Sequence, residues 1–295
     1  TWEAKLSKAG QAETRAAKKT QASEAWEDLV AKKKIGYFAL LRNLRNIAEQ
    51  APHVLVVALE LLIDRKRIKR SMVLPFRFLT AQKAIMESKV SIRNKRQIQR
   101  ALNRALEISV DNVPIFEGRT LVVLDDSGSM TWSKNQHGKT AIEIGAIFAA
   151  MLYKSNDADL MRFSDSAAYV YPFFQDSVIG ITDHLVKNAR SAGTNFHAIF
   201  KTANKAYDRI IILSDMQGWI GTHTPKKAFE IYKRKFKVDP FIYSFDLQGY
   251  GSLQFPQDKT FCLAGFSDKV FDLMQLLETD AQALVSQIEA IKFVV

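Results

Sequence analysis

Asp125, Ser127 and Ser129 stand two residues apart in LVVLDDSGSM (121–130), Asp215 closes IIILSD, and Thr194 follows Gly193 in SAGTNF. All five offer oxygen and nothing softer. Period-two spacing in a turn can bring three side-chain oxygens around one point. A set of carboxylates and hydroxyls without histidine or cysteine suits a hard divalent cation such as Mg2+, which often keeps part of its water shell. DDSGS is also good turn chemistry. Taken alone, the segment supports a polar turn almost as well as a metal site.

Catalysis is the third reading, and the parts it needs are missing. There is no G-x-x-x-x-G-K-[ST] loop, no G-x-G-x-x-G after a strand and no G-x-S-x-G elbow. A phosphatase with an aspartyl nucleophile would want a second Asp two residues after the first, where Ser127 stands. His137, His184, His197 and His223 form no metal-ligand pair or triad, and His197 reads as a helix-face residue. The expectation is a binding protein, not an enzyme.

The second chemical pattern is cationic. Residues 1–110 carry 23 Lys and Arg against 10 Asp and Glu, a net +13, while the rest carry 19 against 21, a net −2. That asymmetry argues for two modules with separate tasks. From Arg65 to Arg104 there are 13 basic residues, with Glu87 the sole acid. Lys89, Arg93, Arg96, Arg100 and Arg104 recur at steps of 4, 3, 4 and 4, which stacks them along one side of a helix. Ile98, Ala101, Leu102, Ala105 and Leu106 fall opposite. Like charges at this spacing destabilise a helix, so an anion is the natural complement, and a phosphodiester backbone matches arginine best. Arg42, Arg45, Lys69 and Arg70 extend the candidate surface. A solvated face, an acidic protein or lipid headgroups are the competing explanations.

These residues need elements to hold them. Up to residue 110 the signals are helical: AWEDLV opened by Ser23, YFALLRNLRNIA with Phe38, Leu41, Leu44 and Ile47 on one face, HVLVVALELLID, and LPFRFLTAQKAIM with Pro75 in its first turn. Short helices in antiparallel pairs suggest an α-solenoid piece over 1–111. Residues 3–22 read as a mobile helix or partly disordered chain, and 112–118 as a linker. From 119 to 295 the pattern becomes continuous apolar strands (RTLVVLD, DLMRFS, AAYVYPF, DRIIILSD, DPFIYSFDL, KTFCLAGF) alternating with helices, two of them closing the chain. That is a mainly parallel, Rossmann-like sheet covered on both faces, with its site at the carboxyl ends of the strands. The acidic clusters after VVL and IIL land there.

D-x-S-x-S after a first strand, Thr after Gly in a middle loop and Asp after a later strand together resemble the metal-ion-dependent adhesion site of von Willebrand factor A domains. The resemblance implies Ser127, Ser129 and Thr194 as direct metal ligands, with Asp125 and Asp215 acting directly or through water. It also implies an open metal position that accepts a partner's carboxylate. AWEDLVAKKKIGYFALLRNLRNI followed by VLPFRFLTA resembles the TROVE proteins, the Ro autoantigen family with its bacterial and phage relatives. That second resemblance implies HEAT-like helical repeats closed into a ring by the A domain. Such a ring holds small Y-type noncoding RNAs outside and ends of misfolded RNAs in its central hole. A full ring needs far more helix than 110 residues, so the expectation is its C-terminal arc, within a fragment of a longer protein. Asn195 stands where variation is expected.

The remaining totals set the compartment. No apolar run approaches the roughly 18–20 residues of a membrane span, the longest being broken by Glu60. The first residues contain no secretory signal region. The single cysteine, Cys262, excludes an internal disulfide and fits a reducing, cytoplasmic setting, and it reads as a buried small hydrophobe. The expected function is therefore noncoding-RNA binding without a membrane role. The alternative is a protein-binding adaptor that uses the metal site and no RNA.

Overall fold

The structure, a computed structural model, describes residues 2–132, 134, 140–173, 176–218, 225–249, 258–264 and 269–279. His137, His223 and the second closing helix lie outside them. The chain divides into two compact units, Thr1–Val113 and Pro114–Val295.

The first unit is helical: α1 (Trp2–Gly10), α2 (Arg15–Ala31), α3 (Tyr37–Gln50), α4 (Leu55–Leu62), α5 (Arg65–Ser71), α6 (Phe76–Met86) and α7 (Ile92–Ser109). Three differences from expectation have physical causes. Residues 3–22 are helical over most of their length, as α1 and the first half of α2, where Thr14 caps α2 by accepting the Ala17 N–H at 3.1 Å. Ser23 therefore sits inside α2 and starts nothing. The basic run RKRIKRS is a helix of its own, started by Asp64, which accepts from the Lys66 and Arg67 N–H groups, and ended by Met72 at φ +54°. Lys89 precedes Ser91, the N-cap of α7, so it lies outside the helical row.

Apolar faces meet in one core built on Trp26, Leu40, Leu44, Ile47, Phe78, Ile98 and Leu102. Two polar side chains set into this core find partners: Trp26 Nε1 donates to Gln50 Oε1 at 2.9 Å, and the Tyr37 hydroxyl to the Leu62 carbonyl at 2.7 Å. Phe38, expected on the buried face of α3, is 39% exposed.

The second unit is a six-stranded sheet in the order β3-β2-β1-β4-β5-β6. Its strands are β1 (Thr120–Asp125), β2 (Ala158–Phe163), β3 (Ala167–Val170), β4 (Arg209–Ser214), β5 (Phe241–Asp246) and β6 (Thr260–Ala264). Every pairing is parallel except β2 with β3. The helices are α8 (Gly128–Trp132), α9 (Ala141–Ser155), α10 (Val178–Lys187), α11 (His197–Thr202), α12 (Pro225–Phe236) and α13 (Lys269–Thr279).

β1 and β4 are buried along their whole length because both sheet faces are covered, which is why they read as unbroken apolar runs. Leu121, Val123, Ile210 and Ile212 pack with Ile199 and Phe200 of α11 and Phe229 and Tyr232 of α12. The other face meets α9, whose Gly145 lies so close that an added Cβ would stand 2.7 Å from Leu124 Cδ1. Phe148 of α9 bridges Phe245 and Phe271. Cys262 on β6 is exposed rather than buried, because β6 is the edge strand. Among the described residues no helix is long and apolar enough to cross a membrane.

Candidate functional site

β1 and β4 are neighbours whose onward connections leave in opposite directions, β1 toward β2 and β4 toward β5. A crevice opens outside the strand ends at such a switch point. Asp125 ends β1 and Asp215 follows β4, so the sheet delivers both carboxylates to this place.

Asp125 is fully buried and both its oxygens are engaged. Oδ1 accepts the Ser127 N–H at 2.9 Å, and Oδ2 accepts the Ser214 hydroxyl at 2.6 Å. Burial pushes its carboxyl up to about 7 against the pull of hydrogen bonds from Ser127 and Ser214, and the Asp215 charge raises it further. Ser127 Oγ stands 3.5 Å from Ser129 Oγ. Asp215 is also fully buried: Oδ1 accepts the Gln217 N–H at 3.3 Å, and Oδ2 has no hydrogen-bond partner among the described residues. An unpartnered buried carboxylate oxygen beside a second buried carboxylate is costly unless a cation compensates it. The donor set is all oxygen, which fits a hard divalent ion. Among the described residues no three His, Cys, Asp or Glu side chains cluster to hold a metal, so a cation here depends on the hydroxyls.

Thr194 is buried in the loop after α10, and that loop is tied to the β1 turn. The Ser191 N–H donates to the Asp126 carbonyl and the Gly128 N–H to the Ala192 carbonyl, each at 2.9 Å. Ser191 at φ +54° and Met216 at φ +58° hold left-handed backbone on two of the converging loops. Non-glycine residues adopt that conformation at a cost, and it persists where surrounding contacts over-determine it. Ser214 Oγ does so for Met216, accepting its N–H at 2.9 Å while donating to Asp125.

Sequence reasoning missed the task of Asp126. This carboxylate turns away from Asp125 to pair with Arg190 Nε at 3.3 Å, and Arg162 Nε lies at 4.0 Å. Arg190 also donates to the Ser166 hydroxyl and carbonyl. Only the tight doublet DD hinted that two adjacent acids would divide the work. Asn195 is committed to structure: its Nδ2 donates to the Asp165 carbonyl and its Oδ1 accepts the His197 N–H at the start of α11.

In the helical unit, Arg93, Arg96, Arg100 and Arg104 are exposed along α7, while Ile98, Leu102, Ala105 and Leu106 are buried and Ala101 is half-buried. Arg42, Arg45, Lys69, Arg70 and Lys89 are exposed too. Glu60 of α4 lines the same shallow groove as Arg100 and Arg104, a carboxylate beside the row that spacing within α7 does not reveal. The face carries dense positive charge on a rigid, anchored helix, which can grip polyanion backbone.

A family model described as the TROVE domain matches residues 2–156, just over half the chain, and one described as the Ro60 vWA domain matches residues 119–277. No curated protein matches the sequence. Among solved structures, the RO (RSR) protein of Deinococcus radiodurans superposes with a TM-score of 0.71 at 20% identity, covering 92% of this chain and 62% of that one. This chain thus spans less than two thirds of that protein. Proximal thread matrix protein 1 from the mussel byssus gives a TM-score of 0.40 at 16% identity, covering 54% of this chain and 47% of that one. The likeness to the Deinococcus protein establishes a shared fold: a helical part followed by a von Willebrand factor A-type sheet.

Proposed function

Because this chain belongs to the TROVE family and its second half to the Ro-type von Willebrand factor A domains, we propose that it is a noncoding-RNA-binding protein. The observation that carries the reading is the α7 row, four exposed arginines backed by a buried apolar face. Guanidinium groups at this spacing hold phosphates and give little base selection, which suits structured noncoding RNA of the small Y type and the ends of misfolded RNAs. The helices of the first unit are HEAT-like repeats in this reading, part of a ring that a longer protein completes.

In the same proposal, Asp125, Ser127, Ser129, Thr194 and Asp215 hold Mg2+ or another hard divalent cation. The two serines and the threonine are direct ligands, and the aspartates act directly or through water. The cation docks a carboxylate from a protein partner or ties the strand ends together. Binding rather than catalysis is favoured because both Asp125 oxygens accept hydrogen bonds and Asp126 is committed to Arg190, so neither is presented as a nucleophile. The setting proposed is the cytoplasm, in keeping with the lone cysteine.

The test is filter binding of the purified chain to a small structured RNA across a salt series. Affinity falling steeply with salt supports the reading. No binding at low salt, together with a nuclease-insensitive protein partner, would favour the adaptor alternative.

A further inference from the structure

Phe38, Arg42 and Arg45 recur at steps of 4 and 3 on α3, so they share one face of that helix. Opposite them α6 presents Thr80, Ala81 and Ala84, residues too small to fill the space between the helices. A groove of about 380 Å³ results, near the lower end of the roughly 300–1,000 Å³ typical of small-ligand sites. Leu41 and Leu44 form its floor, Phe38 exposes part of its ring at the mouth, and the arginines stand on the rim. Among the described residues no carboxylate lines it.

We propose that this groove is a nucleotide subsite for single-stranded RNA, in which one unstacked base lies against Phe38 and the apolar floor while Arg42 and Arg45 hold the adjoining phosphates. The assignment rests on the RNA-binding reading and adds to it a place where the strand must be open. An aromatic platform beside cationic groups is how single-strand sites combine stacking with backbone grip. Duplex RNA keeps its base faces stacked on one another, so it could use the arginines and would leave the apolar half uncovered. The charge is complementary to phosphate and the volume admits one base, which sets this groove apart from the α7 row, where no aromatic ring lies among the arginines.

The test uses the whole chain and two labelled probes, an oligouridine of about ten nucleotides and a blunt RNA duplex of about 16 base pairs. Phe38→Ala removes the platform, and Ala84→Leu fills the groove without touching a charge. Each should weaken oligouridine about tenfold and leave duplex affinity within about twofold of the parent, whereas Arg96→Glu should weaken both. If the parent chain binds neither probe, the RNA reading fails and takes the subsite with it. If the parent binds both and the two groove variants bind oligouridine like the parent, the subsite alone is overturned. Equal weakening on both probes also overturns it, as does displacement of oligouridine by an acidic, aromatic-containing peptide that binds more tightly and loses affinity with Phe38→Ala.

Discussion

Asp126 and Arg190 pair at 3.3 Å, with the carboxylate only 1% exposed and the guanidinium held in turn by Ser166. The pair closes the loop that carries Thr194 against the turn that carries Ser127 and Ser129. Two adjacent aspartates thereby divide two tasks: Asp125 faces the strand ends and Asp126 locks the frame around them.

Arg190→Ala should therefore act as a structural lesion. It strands a buried carboxylate, which typically costs about 3–5 kcal/mol. Arg162, at 4.0 Å, retains part of the neutralisation, so the loss should fall near about 3 kcal/mol. Urea unfolding of the single variants and of Arg190→Ala with Asp126→Asn measures it. A double variant no more stable than Arg190→Ala would show that the stranded charge is not the cause.

Mg2+ should stabilise the second unit, by about 2.7 kcal/mol when present at a hundred times its dissociation constant. Asp215→Asn should abolish that gain. In metal-free buffer the same variant should match or exceed the parent, since it removes a buried charge whose Oδ2 lacks a hydrogen-bond partner among the described residues. Thermal unfolding with Mg2+ and with chelator reads both effects. A variant destabilised equally in both conditions would make Asp215 purely structural.

Much of this was legible because burial leaves its mark on residue type. β1 and β4 are covered on both faces and read as continuous apolar runs, and the alternation with helices placed the acidic clusters at the strand ends. What escaped depends on partners distant in sequence. Phe38 fits the apolar period of α3 as well as Leu41 does, and only the small residues of α6 leave it open. Lys89 continues the arithmetic of the α7 row, yet Ser91 starts the helix two residues later. Asp126 looks like a second turn residue until Arg190, 64 positions on, claims it.

Asp28 supplies a pH-dependent link between α1 and α2. It pairs with Lys32 and Lys5, and those two hydrogen bonds, Lys32 first, lower its carboxyl from 3.8 to about 2. Because the folded value is the depressed one, the stabilisation is present above the unfolded value near 4 and is lost as pH falls through about 2. Hydrogen exchange of residues 2–10, corrected for intrinsic rate, should show protection falling between about pH 4 and 2. Asp28→Asn should remove that dependence, and an unchanged profile would detach α1 from this pair.

The α7 row makes the sharpest demand on RNA binding. Arg96 and Arg100 are exposed, and the helix is anchored by Ile98, Leu102 and Leu106 on the other side, so charge reversal at both should leave folding intact. Removing one arginine–phosphate interaction lowers the slope of log affinity against log salt by about one. Arg96→Glu with Arg100→Glu should therefore weaken binding most at low salt and flatten the slope by about two. Glu60 lines the groove beside Arg100, so Glu60→Gln should tighten binding slightly by removing a competing acid. A double variant with parental affinity and slope would take α7 out of the interface, leaving Arg42, Arg45, Lys69 and Arg70 to carry the polyanion.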